Sequence, residues 1–286
     1  MKINFLNFNL MFLIYRIKIL MLRIIGYEKP LRVAFLKLLQ LKYKTFRPNY
    51  ETILYESSIE AKKLGYKEIT VLELGVAGGN GIISLEKYKK KIEKILDIKI
   101  TIFGFDSGEG LPITNIYQDL PFNWKSGLFK MDPKLLHKKI NSKIIYGDIN
   151  NTIDEFLAFH PKNISAIFFD FDYYSSTKNF LNQIKKLQKF MCPRIYCYFD
   201  DVYHPNLFIC NFNGELLAIK EFNDENDNIK IANPLDSICD FKFPLAKNML
   251  WVMHKFDHED YNKYIGSNNK NSLSIGNRSI DSSNIF

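Results

Sequence analysis

Residues 164–172 read Ile-Ser-Ala-Ile-Phe-Phe-Asp-Phe-Asp, an apolar run that ends in two aspartates. Residues 195–201 repeat the pattern as Ile-Tyr-Cys-Tyr-Phe-Asp-Asp. Short, nearly continuous apolar runs are typical of parallel strands that are covered on both faces. In open α/β sheets, the ligand crevice lies outside the carboxyl ends of such strands. We therefore expect all four aspartates to gather at one end of the sheet, where their repulsion requires a cation, a proton or a cationic ligand.

Strand-like and helix-like runs alternate from residue 50 onward. Strands are predicted at residues 69–74, 100–105, 143–146, 164–169 and 195–199, with two more at 229–232 and 249–254. Helices are predicted at residues 82–96, 177–190 and 214–222. A βαβ series of this kind predicts an α/β fold with a mostly parallel sheet, right-handed crossovers and flanking helices.

The positive charge of the chain is concentrated at its start. The net charge is +8 over 286 residues, yet residues 1–50 carry ten Lys or Arg and one acid, so the remainder carries 29 basic and 30 acidic residues. A nucleic-acid enzyme would line its binding face with basic residues. The lysines of residues 82–96 instead alternate with apolar residues at helical spacing, which is typical of a solvated helix face. We therefore expect no nucleic-acid partner.

The first 48 residues are predicted to form a separate, basic and hydrophobic helical segment. Its uncharged run, residues 3–15, is shorter than the roughly 18–20 residues that cross a bilayer. Residues 1–45 would suit a helix on an anionic membrane surface, at the inner face of the membrane. The alternative, which we favour, is a helix pair packed on the rest of the chain or on a second copy in a homo-oligomer. The pattern lacks the features of a signal peptide, so a cytoplasmic location is expected.

Residues 49–264 are predicted to form the main domain. The tail, residues 265–286, is rich in Ser and Asn and is expected to be disordered. The four cysteines, Cys192, Cys197, Cys210 and Cys239, show no paired CxxC spacing. They are interpreted as buried reduced thiols rather than zinc ligands or a disulfide framework.

The first predicted strand leads into a glycine-rich turn. Residues 73–81 read Glu-Leu-Gly-Val-Ala-Gly-Gly-Asn-Gly. Glycines allow a tight turn and a close approach to a ligand, and the following helix offers free N–H groups. The dinucleotide fingerprint GxGxxG does not fit, because Ala77 stands where its second glycine belongs. The order Glu73-x-Gly75-x-x-Gly78-Gly79 resembles motif I of class I S-adenosylmethionine-dependent methyltransferases.

Further matches come after the later strands. Asp106 closes the second strand, where an acid can accept hydrogen bonds from both hydroxyls of a ribose. Gly147 and Asp148 come after the third strand, where such enzymes contact adenine. With the Asp-Phe-Asp of residues 170–172 and the later Asp-Asp, the pattern resembles the macrocin O-methyltransferase-like family of metal-dependent enzymes, over residues 69–201.

The resemblance implies a Rossmann-like, seven-stranded sheet of the class I methyltransferase fold, with S-adenosylmethionine as cofactor. It implies cofactor contacts from Glu73, Gly75, Gly78, Gly79, Asp106, Ser107, Asp148 and Asp170. It also implies metal ligation by Asp170, Asp200 and Asp201, with Asp172 as the general base. A hard cation, Mg²⁺ or another divalent ion, suits these oxygen ligands. The expected acceptor is a hydroxyl of a sugar or another small molecule or glycan.

Some features depart from the family or are open to a second interpretation. The residue between the first two acids is Phe171 instead of a small residue, and the glycine loop lacks the arginine common in the sugar-modifying members, so the acceptor stays open. His204 is either an alternative base or ligand or a solvated loop residue. Residues 113–131 are long for a connection and are expected to cover the acceptor as a lid. The aromatic residues near these segments would either line an acceptor pocket or pack in the core: Trp124, Tyr173 and Tyr174. Ser175 and Thr177 are interpreted as helix-capping and first-turn residues.

Two other functional classes are compatible with the acids. A glycosyltransferase would use Asp170-x-Asp172 to hold Mn²⁺ and a nucleotide-sugar diphosphate, but this interpretation leaves Glu73, the glycine loop and Asp106 without a role. A non-catalytic, membrane-associated protein on a methyltransferase fold would suit the basic N-terminal segment.

Overall fold

The computed structural model describes residues 47–203, 208–234 and 249–266. The predictions made for residues 1–45, His204, Cys239 and most of the tail lie outside the described residues.

Seven strands form one sheet within the described ranges. They are β1 Glu68–Leu74, β2 Lys99–Asp106, β3 Lys143–Tyr146, β4 Ile164–Phe169, β5 Met191–Phe199, β6 Ile229–Ala232 and β7 Leu250–Lys255. Their order is β3-β2-β1-β4-β5-β7-β6. The first five strands pair in parallel, whereas β7 runs antiparallel to both β5 and β6. This order is typical of the class I methyltransferase fold, so the predicted fold class is confirmed.

Helices cover both faces of this sheet. They are α1 Pro48–Leu64, α2 Asn80–Leu96, α3 Pro133–His137, α4 Ile149–Leu157, α5 Tyr174–Asn182, α6 Ile184–Leu187 and α7 Gly214–Glu225. Alternate residues of a strand point to opposite faces. In β4, Ile167 and Phe169 pack with residues of α4, α5 and α7, while Ala166 and Phe168 pack with residues of α1, α2 and α3. Burial on both faces explains why this strand is a continuous apolar run.

The predicted helix over residues 177–190 is wrong in its extent. Helix α5 ends at Asn182, and a separate turn, α6, leads into a 3₁₀ turn at Gln188–Phe190. The break lies at Gln183, whose N–H donates to the carbonyl of Phe180 at 2.9 Å, in the tighter i to i+3 pattern. Ser175 is also not the cap, because α5 begins at Tyr174 and its cap residue is Tyr173.

Strand β5 begins four residues earlier than predicted. Its first residues include Pro193, which usually interrupts a strand because it cannot donate a hydrogen bond. Here the pairing with β4 shifts register between Ile164 and Ala166, opposite this part of β5. Prolines are tolerated at such irregularities, and the strand therefore continues back to Met191.

The expectations about the buried face of the helix over residues 82–96 and about the cysteines are confirmed for most of the residues concerned. In α2, the apolar face is buried as the spacing predicts, at Ile82, Leu85, Tyr88 and Ile92. Cys192 and Cys197 are buried free thiols, but Cys210 is exposed, because it lies in the loop before α7 instead of in a strand. No helix in the described part of the chain is long and apolar enough to cross a membrane.

Candidate functional site

Three of the four predicted aspartates meet at the carboxyl end of the sheet. Asp170 directly follows β4, and Asp200 and Asp201 directly follow the adjacent parallel strand β5. One carboxylate oxygen from each of the three lies within 4.8 Å of the other two. The backbone N–H of Asp200 donates to the carbonyl of Phe169 at 3.1 Å, which joins the two strand ends. The parallel pairing of two strands thus places the three carboxylates together.

This cluster has the properties of a cation site. Asp201 is buried, and its Oδ2 has no hydrogen-bond partner within the described residues. Burial and the neighbouring charges of Asp172 and Asp200 raise the pKa of Asp201 well above its usual value. A buried acceptor left without a donor carries a desolvation cost of about 1–3 kcal/mol. Because hard divalent cations prefer carboxylate oxygens, the donor set fits Mg²⁺.

Asp172 lies beside this cluster in an uncommon backbone conformation. Its φ of 62° falls in the left-handed region, which aspartate tolerates better than most residues. Burial, followed by the charges of Asp170 and Asp200, raises the pKa of Asp172 to about 8. The charge of Asp172 acts in turn on Asp201, so the two carboxyl groups are electrostatically linked. A carboxyl with a pKa this close to neutral is suited to accept and release a proton.

Two tyrosines form contacts with the acids. No sequence motif marks either of them. The Tyr50 hydroxyl lies 3.3 Å from Asp170 Oδ2 and 3.4 Å from Glu73 Oε1. The Tyr198 hydroxyl donates to Asp200 Oδ1. Tyr50 belongs to α1, so its position depends on how that helix packs on the sheet. No motif in the sequence around residue 50 signals this contact.

The glycine loop lies directly against the acid cluster. Gly75 has a φ of 85°, and a Cβ at this position would overlap the carbonyl oxygen of Asp170. Gly79, with a φ of 83°, caps the start of α2. Gly78 has ordinary backbone angles, and a Cβ there would meet no described atom within 4 Å. The loop and the first acid therefore touch through their backbones, as a common ligand site requires.

Asp106 is placed beside the same loop and makes backbone contacts that the sequence did not predict. Its Oδ2 accepts hydrogen bonds from the N–H groups of Val76 and Ala77, both at 2.8 Å. Its Oδ1 accepts one from the N–H of Gly108 at 2.6 Å. A carboxylate has about four acceptor positions, so one remains on Oδ1 for a ribose hydroxyl. The structure gives Asp106 a role in shaping the loop, and its contact with the cofactor stays a prediction.

The two other predicted cofactor residues make local contacts. Ser107 is exposed, and its hydroxyl donates to the carbonyl of Gly110 at 3.2 Å. Asp148 is exposed and caps α4 by accepting a hydrogen bond from the N–H of Asn150 at 2.8 Å. These contacts explain the residue types without a ligand. Their cofactor contacts also stay predictions.

The segment predicted to be a lid is fixed to helix α5. Asp119, 1 % exposed, accepts hydrogen bonds from the N–H and hydroxyl of Ser175, at 2.8 and 2.9 Å, and from the Thr114 hydroxyl at 2.7 Å. The Trp124 ring lies 5.9 Å from that of Phe129, and its buried Nε1 has no partner among the residues described. This part of the segment is therefore anchored to the first turn of α5.

The two neighbouring tyrosines are packing residues in this structure. Tyr173 is fully buried, and its hydroxyl lies 3.4 Å from the carbonyl of Pro112. The Tyr174 hydroxyl donates to Glu221 at 2.8 Å. Of the three aromatic residues considered from the sequence, only Trp124 keeps a buried polar atom without a partner in the described ranges.

One buried acid of the site was missed. Glu215, in the first turn of α7, is 0 % exposed, and its Oε2 accepts the backbone N–H of Asp201 at 3.1 Å. It lies on the buried face of α7 with Ala218, Ile219 and Phe222. An acid on an otherwise apolar helix face was the available signal, because charged residues are rarely buried without a partner.

Comparisons with known proteins give remote similarities. No family model and no curated protein matches the chain. Solved structures that are similar include the calicheamicin methyltransferase CalS11, at 16% identity over 71% of this chain and 76% of that chain, with a TM-score of 0.48. An apo structure of CalS11, described as a TDP-rhamnose 3'-O-methyltransferase, matches at 14% identity over 71% and 77% of the two chains, with a TM-score of 0.43. The plantazolicin methyltransferase BamL matches at 12% identity over 78% and 90%, with a TM-score of 0.40. At these values, the similarities do not assign an activity to this chain.

Proposed function

We propose that this chain is an S-adenosylmethionine-dependent O-methyltransferase assisted by Mg²⁺ or another divalent cation. Its acceptor would be a hydroxyl group of a sugar or another small molecule or glycan, as in the macrocin O-methyltransferase-like family. The observation that carries the proposal is the backbone contact between Gly75 and Asp170. It brings a glycine loop at a helix N-terminus and a carboxylate cluster that fits a cation to the same end of the sheet, where ligands of open α/β sheets bind.

The proposed site residues have three roles: cation ligands, cofactor contacts and a general base. Asp170, Asp200 and Asp201 would hold the cation. The proposed cofactor residues are Glu73, Gly75, Gly78, Gly79, Asp106, Ser107, Asp148 and Asp170. When bound, S-adenosylmethionine supplies an electrophilic methyl group, and a hard cation makes a hydroxyl more acidic.

Asp172 would take the proton of the acceptor hydroxyl. The methyl group of S-adenosylmethionine would pass from sulfur to the hydroxyl oxygen with loss of the sulfonium charge, and Asp172 would hold the proton that the hydroxyl gives up. Residues that hold both reactants close together would provide much of the acceleration. The position of Asp172 beside the proposed cation ligands supports this role, because a general base must lie within reach of the proton that it takes.

Calorimetry on the full chain tests the cofactor and metal classes. We expect heat from S-adenosylmethionine and from Mg²⁺, and none from UDP-glucose. Binding of UDP-glucose without binding of S-adenosylmethionine would favour a glycosyltransferase. Silence towards all three would favour a non-catalytic protein on the same fold.

The role of Asp172 is tested by Asp172→Asn, with release of S-adenosylhomocysteine measured over a panel of sugar nucleotides and phenols. We expect the variant to bind S-adenosylmethionine and to lose about 100- to 10,000-fold in turnover, as is usual for a general base. Turnover equal to that of the wild type removes Asp172 from this role.

The proposal also covers where the protein is located in the cell and what its N-terminal segment contacts. We infer a cytoplasmic enzyme whose residues 1–45 either form a helix pair packed on the rest of the chain or on a second copy, or contact the inner face of the membrane. Sedimentation with anionic liposomes, comparing the full chain with a version that starts at Phe46, separates the two. Equal pelleting of both versions contradicts the membrane contact.

A further inference from the structure

Glu215 approaches the acid cluster from the side opposite to the glycine loop's helix. Its carboxylate is fully buried, and one oxygen, Oε2, accepts the backbone N–H of Asp201 at 3.1 Å. The other oxygen, Oε1, has no hydrogen-bond partner in the described part of the chain. The residue therefore makes one contact that orients Asp201 and keeps a buried acceptor that is unsatisfied.

The charged groups that act on Glu215 are themselves acids. They are Asp201, Asp200 and Asp170, the three residues whose oxygens lie within 4.8 Å of one another. The first turn of α7 favours a negative charge through its free N–H groups. The N–H groups at this helix end offset only part of the repulsion between Glu215 and the three nearby carboxylates. The four acids together therefore still require a cation.

Glu215 lies behind the three-carboxylate cluster and is not one of its members. Groups behind the ligands of a metal orient those ligands and tune their basicity. The hydrogen bond to Asp201 is a contact of this kind.

We propose that Glu215 is a positioning residue for the cation: it fixes the Asp200–Asp201 turn through the N–H of Asp201 and adds a negative charge behind that ligand. This inference rests on the proposed function, because it presumes that the cluster binds a divalent cation. Glu215 lies outside the sequence motifs and belongs to helix α7, whereas the proposed ligands directly follow strands β4 and β5.

The test compares Glu215→Gln with the wild type by titrating the full chain with Mn²⁺ or Mg²⁺ alone in a calorimeter. Glutamine keeps an oxygen that accepts the N–H of Asp201 and removes the charge. We expect the dissociation constant for the cation to rise about 10- to 100-fold, as for other residues behind metal ligands. Without metal, the melting temperature of the variant should not fall, because glutamine keeps the shape of the side chain and the hydrogen bond to the N–H of Asp201.

Glu86→Gln is the matched control. Glu86 is also a buried carboxylate, and it accepts hydrogen bonds from the N–H of Asn141 and from the N–H and hydroxyl of Ser142. Its replacement should lower the melting temperature, because three hydrogen bonds to one charged oxygen become weaker bonds to a neutral oxygen, and it should leave the affinity for the cation unchanged.

Three outcomes overturn the inference. An unchanged affinity in Glu215→Gln removes the residue from the cation site while the proposed function stands. Weaker binding together with a melting temperature that falls as in Glu86→Gln indicates a merely structural role. A wild type that binds S-adenosylmethionine but no divalent cation overturns both the inference and the metal assistance, and leaves the cofactor half of the proposed function intact.

Discussion

The carboxylate of Glu73 occupies the space into which a side chain on Gly81 would project: a Cβ on Gly81 would overlap Glu73 Oε1. Glu73 lies near the end of the buried strand β1, and Gly81 lies in the first turn of α2. The start of α2 can pack this closely on the strand only without a side chain at residue 81.

Gly81→Ala is therefore expected to destabilise the protein. Overpacking of this kind costs about 1–3 kcal/mol, which denaturant unfolding measures. Gly78→Ala serves as the control, because a Cβ there would meet no described atom within 4 Å, and it should leave the unfolding free energy almost unchanged. Equal losses in both variants contradict the contact with Glu73 as the cause.

Cation binding should stabilise the folded chain. A ligand that binds only the native state adds about 2.7 kcal/mol when its concentration is about 100 times the dissociation constant. We expect Mg²⁺ or Mn²⁺ to raise the melting temperature of the wild type and to have little effect on Asp200→Asn. Asp227→Asn, at an exposed acid, should respond as the wild type does, and a loss of the response there points to general charge screening.

Asp119 should hold residues 113–131 in place. Asparagine offers one acceptor oxygen in place of two, so Asp119→Asn cannot satisfy Thr114 and both groups of Ser175. Hydrogen bonds to a charged group contribute about 1.5–3 kcal/mol each, and hydrogen exchange over residues 114–124 should become faster. Asp132→Asn is the control, because asparagine caps a helix as well as aspartate does. Unchanged exchange in Asp119→Asn would make the segment's order independent of this anchor.

Trp124 should contribute to acceptor binding through its indole N–H. Under the proposed function, Trp124→Phe removes this donor and raises the acceptor KM about three- to tenfold, the effect of one neutral hydrogen bond. Phe122→Leu, at an exposed residue of the same segment, is expected to leave KM unchanged. Kinetics of Trp124→Ala equal to the wild type remove Trp124 from the site.

Acidification should lower the unfolding free energy of the protein through protonation of His254. Burial, and then the charge of Arg194, lowers the pKa of His254 below 6.5. Below pH 6.5 the unfolded chain then binds more protons than the folded chain, so this group's contribution to stability is lost as the pH falls. His254→Gln should reduce the decline in unfolding free energy between about pH 7 and pH 5. An undiminished decline in His254→Gln contradicts this assignment.

The sequence predicts the sheet well because the physical signal is local. Strands β3, β4 and β6 have the predicted bounds, and two-sided burial explains why the run of β4 is almost entirely apolar. The start of β5 could not be predicted in this way, because Pro193 is accommodated by a register shift against another strand. The break at Gln183 likewise has no proline or glycine to mark it.

The same distinction between local and tertiary signals applies to the candidate site. Asp170, Asp200 and Asp201 come directly after their strands, so parallel pairing was enough to predict that they meet. Tyr50 reaches the acids from the helix before β1 and Glu215 from the helix after β5, and only the packing of those helices brings them there. Sequence patterns identify the residues at the end of each strand, whereas the partners that surround these residues depend on the tertiary structure.

The backbone contact between Gly75 and Asp170 also bears on how such a protein can be altered. Since the glycine turn and the first acid share one tight junction, neither can be exchanged alone for its counterpart from another enzyme without a gap or a clash. Chimeras that transplant residues 73–81 together with residues 164–172 preserve this junction, and the two segments are best inherited as one unit.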